Sequence, residues 1–349
     1  MLTVHSNACI YTFRESPLPT LTLSLNRITI ITIGLMEVQL PFARSSTSRT
    51  EPSARLTPTQ LDFWNTNGYL VIPNALDKAT VSSLLSETHS MLSSLDLQDH
   101  PMTKFSTGQN GRAHVGDDYF LTSGDKIRFF FEEDAFSPSG TLQKPKERAV
   151  NKIGHYLHEL SPSFKSVTLN ERNASIVKSL GFRDPRCLQS MVICKPPEIG
   201  AAVPPHQDST FLYTEPPSAV GFWYALEDAT KENGCLSFAR GSHKRAPVRQ
   251  RFVRLPEGGT GFVPNDGSKF PDGHDGGEEE MEEEYTAEEA KAGTLVIIHG
   301  NVLHKSEKNT SNKSRFIYTF HVIEQSGSSR YDEKNWLQPP KDGFSRLSM

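Results

Sequence analysis

Apolar positions along this 349-residue chain change period partway through. Over roughly 56–95 they follow helical spacing, and from about 188 onward they come in short β-branched or aromatic runs. Thr57-Pro58-Thr59-Gln60 has the capping-box spacing, with proline at the first helical position where its missing N–H costs nothing. Leu61 and Trp64 form an i, i+3 apolar pair and Gly68 can close the turn, so a short helix is predicted from Pro58. Tyr69–Ile72 reads as a strand. Asp77 is a good N-cap for a second helix, with Val81, Leu84, Leu85, Met91, Leu92 and Leu95 on one face.

The later runs, at 188–195, 220–226, 293–299 and 315–323, are bounded by Pro, Gly or Asn. Asn233-Gly234 is a tight-turn signal before another short strand at 235–239. Helices followed by many short strands predict a mainly β chain with flanking helices (α+β), as a sandwich or barrel.

Composition changes this picture at two places. Hydrophobic residues are 36% and charged residues 22%, a globular profile whose polar surplus implies that part of the length is not core. Between Asp272 and Glu289 lie ten acids and no Lys or Arg; removing them from the formal charge of −4 leaves +6. Such a run repels itself, so a solvated loop insertion is expected at about 256–290, with an acidic docking loop or divalent-ion trap as alternatives. Residues 1–55 carry five Arg and three Glu among many Ser, Thr and Pro. They read as a tail: disordered, a targeting segment, or an extension upstream of a start at Met36. The expected folded domain is 56–349.

The net charge gives no reason to expect a nucleic-acid partner. The longest apolar runs are too short to span a bilayer. The C-terminal Arg-Leu-Ser-Met is not the peroxisomal Ser-Lys-Leu signal, and the expected location is cytoplasmic, with a mitochondrial address in the Arg-rich tail as the alternative. Cys9, Cys187, Cys194 and Cys235 include no C-x-x-C pair, which argues against a disulfide framework or a thiolate zinc site.

The sharpest chemical signal is Pro204-Pro205-His206-Gln207-Asp208. On an extended segment, residues i and i+2 point to one face, so His206 and Asp208 can present a ring nitrogen and a carboxylate to one point. A second histidine would complete the two-His-one-carboxylate facial set suited to non-haem Fe(II), which leaves positions open for a cosubstrate and oxygen. The run from Gly293 ends in a turn carrying His299 and His304, either of which could supply it. Arg315 follows eleven positions after His304. An α-keto acid held on such a metal leaves a distal carboxylate in need of a cation, and the planar guanidinium fork suits it best.

In this arrangement the chain resembles the Fe(II)/2-oxoglutarate dioxygenases, specifically the phytanoyl-CoA dioxygenase family. Eight stretches carry the resemblance in order: LTPTQLDFWNTNGYLVIPNAL, YFLTSGDKIRFFFE, NKIGHYLHELSPSFKSVT, HQDSTFLYTEP, LEDATKENGCLSFARGSH, LVIIHGNVLHKS, SRFIYTFH and NWLQP. The resemblance implies His206, Asp208 and His304 as iron ligands and as the catalytic centre. It also implies Arg315 and Ser306 at the distal carboxylate of 2-oxoglutarate, and Lys152, Met191, Gln207 and Trp223 around the cosubstrate. The implied fold is a double-stranded β-helix (jelly roll, cupin-like). One departure is visible: where the family commonly has Pro-Gly-Ser-His, this chain has Arg240-Gly241-Ser242-His243.

The expected activity is hydroxylation of a C–H bond in a small or acyl-type substrate, consuming 2-oxoglutarate and O2 and releasing succinate and CO2, with ascorbate supportive in vitro. Related halogenases lack the carboxylate so that chloride can bind, so Asp208 favours hydroxylation. Alternatives are desaturation or demethylation at the same centre, and a catalytically silent metal- or ligand-binding jelly roll. His299 and His243 read as structural histidines, and Phe129, Phe130 and Phe131 as core. Lys126 and Arg128 are either anion-binding or surface ion pairs.

Overall fold

The computed structural model describes residues 55–106, 114–271, 283–327 and 329–347. The N-terminal tail up to residue 54 and the most acidic stretch of the insertion, 272–282, lie outside the described residues. Helix α1 (Pro58–Asn67) begins at the capping box, with the Thr57 hydroxyl and the Gln60 side chain each accepting from the other's backbone N–H, and ends at Gly68. Helix α2 (Lys78–Ser94) starts where Asp77 accepts from the Thr80 N–H. Shorter helices follow: α3 (Asp118–Leu121), α4 (Leu157–Leu160), α5 (Pro162–Thr168) and α6 (Glu171–Ser179).

The strands in chain order are β1 (Tyr69–Ile72), β2 (Ile127–Phe131), β3 (Val150–His155), β4 (Pro185–Ile193), β5 (Val203–His206) and β6 (Thr214–Glu215). Next come β7 (Val220–Ala225), β8 (Leu236–Phe238), β9 (Gln250–Arg254), β10 (Thr260–Pro264) and β11 (Thr286–Glu288). The last five are β12 (Leu295–His299), β13 (His304–Ser306), β14 (Ile317–Glu324), β15 (Arg330–Tyr331) and β16 (Ser345–Arg346).

The large sheet runs β1-β12-β7-β14-β4-β3-β2, antiparallel throughout, with β16 beside β4; a smaller sheet runs β11-β8-β13-β5. One face of the large sheet packs under the helices, where Phe222, Phe320, Tyr318 and Val192 meet Leu84, Phe164 and Val177. The other face meets the small sheet, where Trp223, Ile298 and Ile317 meet Leu236 and Phe238. Two antiparallel sheets packed in this way make the expected double-stranded β-helix. Burial on both faces explains why VGFWYA and LVIIH read as continuous apolar runs and not as alternation.

Two parts of the sequence reading need correction. The Gly- and Pro-rich start of the insertion is not all loop: β9 and β10 pair as a hairpin that sets Phe262 against Phe252, with the turn at Gly258-Gly259. At its other end β11 pairs with β8, and Glu283 and Glu288 make ion pairs with Arg245 and Arg240. The hairpin is closed by its own local turn, whereas the charge partners of Glu283 and Glu288 come from segments distant in sequence. Strands β2 and β3 and helices α4–α6 carry no strong periodic signal and emerge only in the tertiary structure.

Candidate active site

His206 closes β5 and His304 opens β13, and the antiparallel pairing of these strands puts the two residues directly opposite one another. The ring of His304 also stacks on Phe238 of β8, inclined by 29° with 5.9 Å between centroids. Nδ1 of His206 donates to the Pro204 carbonyl at 2.8 Å, and Nδ1 of His304 to the Val302 carbonyl at 3.1 Å. A carbonyl can only accept, so each ring carries its proton on Nδ1 and keeps its Nε2 lone pair free. Both Nε2 atoms face Asp208 Oδ1, at 3.6 Å and 3.8 Å.

One donor atom from each of His206, Asp208 and His304 lies within 4.8 Å of the others. Burial, with His304 alongside, pushes His206 down to about 4, which keeps its imidazole neutral. Burial opposes ionisation of Asp208, but the neighbouring His321, His304 and His206 outweigh it and hold the carboxyl well below the usual carboxylate range. Two imidazoles that turn Nε2 towards one carboxylate are the donor chemistry that non-haem Fe(II) takes, so the residues present fit that ion.

The three residues line one side of a cavity of about 200 Å3 between the two sheets. Arg315, Ser306, Trp223, Met191 and Lys152 line it too. Arg315 is 2% exposed; its Nη1 donates to the Gly234 carbonyl at 2.9 Å, while Nε has no hydrogen-bond partner. Its guanidinium stands over Trp223, 5.6 Å from the ring centroid. The Asn233-Gly234 turn is indispensable here: Gly234 has φ +81, and a Cβ would lie 2.3 Å from the Glu307 carbonyl oxygen. Lys152 Nζ sits 3.3 Å from the centroid of Phe105, and burial lowers its amine to about 7, with Glu132 opposing.

Gln207 does not join this group. It sits between two ligand positions in sequence, so alternation sends its side chain to the opposite face, where it donates to the Ala246 and Asn301 carbonyls at 2.9 and 2.7 Å. His299 also lies outside the cavity; its Nδ1 accepts from the Asn301 N–H at 3.0 Å and so closes the turn. His243 contacts the Asn65 carbonyl at 3.2 Å. Lys126 pairs with Asp125, and Arg128 bonds Thr122 and the Tyr119 carbonyl. Cys187, Cys194 and Cys235 are buried free thiols.

Several cavity residues were not singled out in the sequence. His321 projects from β14, four residues before which Ile317 and two before which Thr319 share its face; period two counted from Arg315 would have found it. His155, held by Ser123 Oγ at 2.8 Å, and His114 also line the cavity, together with Phe105, Phe120, Phe211, Phe252 and Trp336.

A double-stranded β-helix with two imidazoles and one carboxylate on adjoining strands, and a buried arginine across the cavity, defines a non-haem Fe(II)/2-oxoglutarate dioxygenase. The family profile for phytanoyl-CoA dioxygenase (PhyH) matches residues 64–317, and the chain belongs to that family. It is 42% identical over 286 residues to an Arabidopsis thaliana phytanoyl-CoA dioxygenase, covering 82% of this chain and 95% of that protein. It is also 42% identical over 294 residues to the Bos taurus phytanoyl-CoA dioxygenase domain-containing protein 1, covering 82% and 96%. Among solved structures, the epimerase SnoN in complex with Fe3+, alpha ketoglutarate and nogalamycin RO superposes with a TM-score of 0.52 at 17% identity, over 83% of this chain and 92% of that one. That likeness is one of fold. Among the described residues, no helix is long and apolar enough to cross a membrane.

Proposed function

We propose that His206, Asp208 and His304 hold Fe(II), that Arg315, Ser306, Lys152, Met191 and Trp223 surround 2-oxoglutarate, and that the protein hydroxylates an apolar C–H bond of a small or acyl-type substrate. The observation that carries this reading is a single cavity with three converging donor atoms on one wall and a buried guanidinium with an unpartnered Nε on another. When bound, iron and 2-oxoglutarate supply the oxidising chemistry, with O2 consumed and succinate and CO2 released.

The chain's own part is to bind, orient and exclude water. The Pro204 and Val302 carbonyls keep the Nδ1 protons of His206 and His304 in place, so both Nε2 lone pairs remain available. Arg315 offers a fixed charge and a planar fork to the distal carboxylate. The aromatic wall of Phe105, Phe120, Phe211, Phe252 and Trp336 keeps water out and favours an uncharged segment of substrate beside the metal. Asp208 would supply the carboxylate ligand that related halogenases lack, which supports oxygen insertion as the outcome.

The test is succinate formation from 2-oxoglutarate with Fe(II), O2 and ascorbate, with and without a panel of acyl-CoAs, free acids and small apolar metabolites. Substrate-stimulated succinate with a hydroxylated product supports the reading. Iron bound without any turnover would replace it with a silent ligand-binding jelly roll.

A further inference from the structure

Lys195 lies just beyond the end of β4 and is 2% exposed, yet it lines no part of the cavity and no step above uses it. Its backbone takes φ +36, an uncommon conformation for a residue with a side chain. The methylene stem runs between two glycines that have room for nothing else. A Cβ on Gly200 would lie 2.7 Å from Lys195 Cγ, and one on Gly234 would lie 2.4 Å from Lys195 Cε. At the end of that path Nζ donates to the Ala201 carbonyl at 2.8 Å and to Ser306 Oγ at 3.0 Å. Its backbone carbonyl accepts from the Arg315 N–H at 3.3 Å. The stem presses on Gly234, whose carbonyl in turn anchors Arg315 Nη1.

Lys195 therefore touches both residues assigned to the distal carboxylate. We propose that Lys195 is a positioning residue for 2-oxoglutarate, setting the direction of the Ser306 hydroxyl and the placement of Arg315 from behind the cavity wall; this rests on the function proposed above. The Ala201 carbonyl can only accept, so Nζ turns its protons outward to that carbonyl and to Ser306 Oγ. Ser306 Oγ accepts from Nζ, which leaves its own proton free to donate to an anion in the cavity. Three buried basic groups, Lys152, Lys195 and Arg315, share the field of one buried acid, Glu132, which itself takes the Ala201 N–H at 3.3 Å. Burial lowers all three bases, so an anion entering the cavity would favour their charged forms, and the unpartnered Arg315 Nε marks where it would sit.

The test compares two keto acids of equal length on anaerobic Fe(II)-loaded protein by titration calorimetry. 2-Oxoglutarate has the distal carboxylate and 2-oxopentanoate lacks it. Lys195→Met should weaken 2-oxoglutarate at least about tenfold while changing 2-oxopentanoate less than about twofold, with iron content unchanged. On a Ser306→Ala background the same substitution should cost much less, because the hydroxyl it directs is gone. Equal loss for both acids, or no loss, would overturn the proposal, since a merely structural lysine does not read the distal carboxylate. If Lys195→Met does not melt like the parent, Lys195→Arg, which retains a buried donor, must keep the preference for 2-oxoglutarate; losing it equally with both acids counts against the proposal. Wild-type protein that binds iron but neither acid would sink the proposed function itself.

Discussion

His321 Nε2 lies 3.3 Å from Asp208 Oδ2, the carboxylate oxygen that faces neither His206 nor His304. The Gln189 amide, 3.4 Å from His321 Nδ1, can only donate to it, which leaves the ring proton on Nε2 facing Asp208. His321 thus stands beside one oxygen and leaves Oδ1 facing the two other histidines. His321→Leu should lower Fe(II) affinity about 10–100-fold, the usual cost of removing a ligand's outer partner. Metal titration against the melting curve checks this: a stable variant with unchanged affinity would remove His321 from the site.

Asp208 is the charge on which the centre depends. Asp208→Ala leaves three imidazoles around one point with no anion, and iron retention should fall by about 100-fold or more, beyond the loss from an outer partner. His206→Ala should do the same. Iron content after gel filtration and succinate formation are the readouts, and intact succinate production in Asp208→Ala would refute the ligand assignment.

How far the sequence revealed this site depends on where each signal resides. Helix α1 was legible to the residue because the Thr57–Gln60 capping box and Gly68 are local features. The convergence of His206 and Asp208 was legible in their spacing, while spacing left His299 and His304 both open and the resemblance pointed to His304. His321 was overlooked, although period two from Arg315 through Thr319 puts it on the cavity face. Gln207 was placed around the cosubstrate by the resemblance, and in this structure its side chain bonds the Ala246 and Asn301 carbonyls instead. Lys195 and Glu132 look like ordinary surface charges in a composition, and only packing shows them buried.

Arg315 is held by one carbonyl and leaves Nε unpartnered, so its guanidinium is placed before any ligand arrives. Arg315→Ala should raise the 2-oxoglutarate requirement about 10–100-fold, in line with losing charge-assisted hydrogen bonds, while iron binding stays within about twofold. Arg315→Lys keeps a charge but not the fork and should recover only part. Succinate formation against 2-oxoglutarate concentration checks this. A fall in kcat at unchanged half-saturation would place Arg315 elsewhere in the reaction.

His158, at the start of α4, tests the core away from the metal. Its Nδ1 contacts Ser190 Oγ at 2.7 Å, while Nε2 is buried with no hydrogen-bond partner. Burial pushes this histidine down to about 4 from the usual 6.5, with Glu159 opposing that shift and Lys165 adding to it. The folded state therefore binds this proton less readily than the unfolded chain does. The resulting stability is fully present above pH 6.5 and drains away as pH falls towards 4. His158→Gln cannot take up the proton, so between pH 7 and 4 it should lose less stability than the parent, by an amount on the order of 3 kcal/mol. His114, also pushed down to about 4 by burial, remains in both proteins and contributes equally to each. Urea unfolding at pH 7, 5.5 and 4.5 measures the two slopes. Parallel slopes would show that His158 stays neutral in the unfolded chain as well, or gains an acceptor for Nε2 in the folded one.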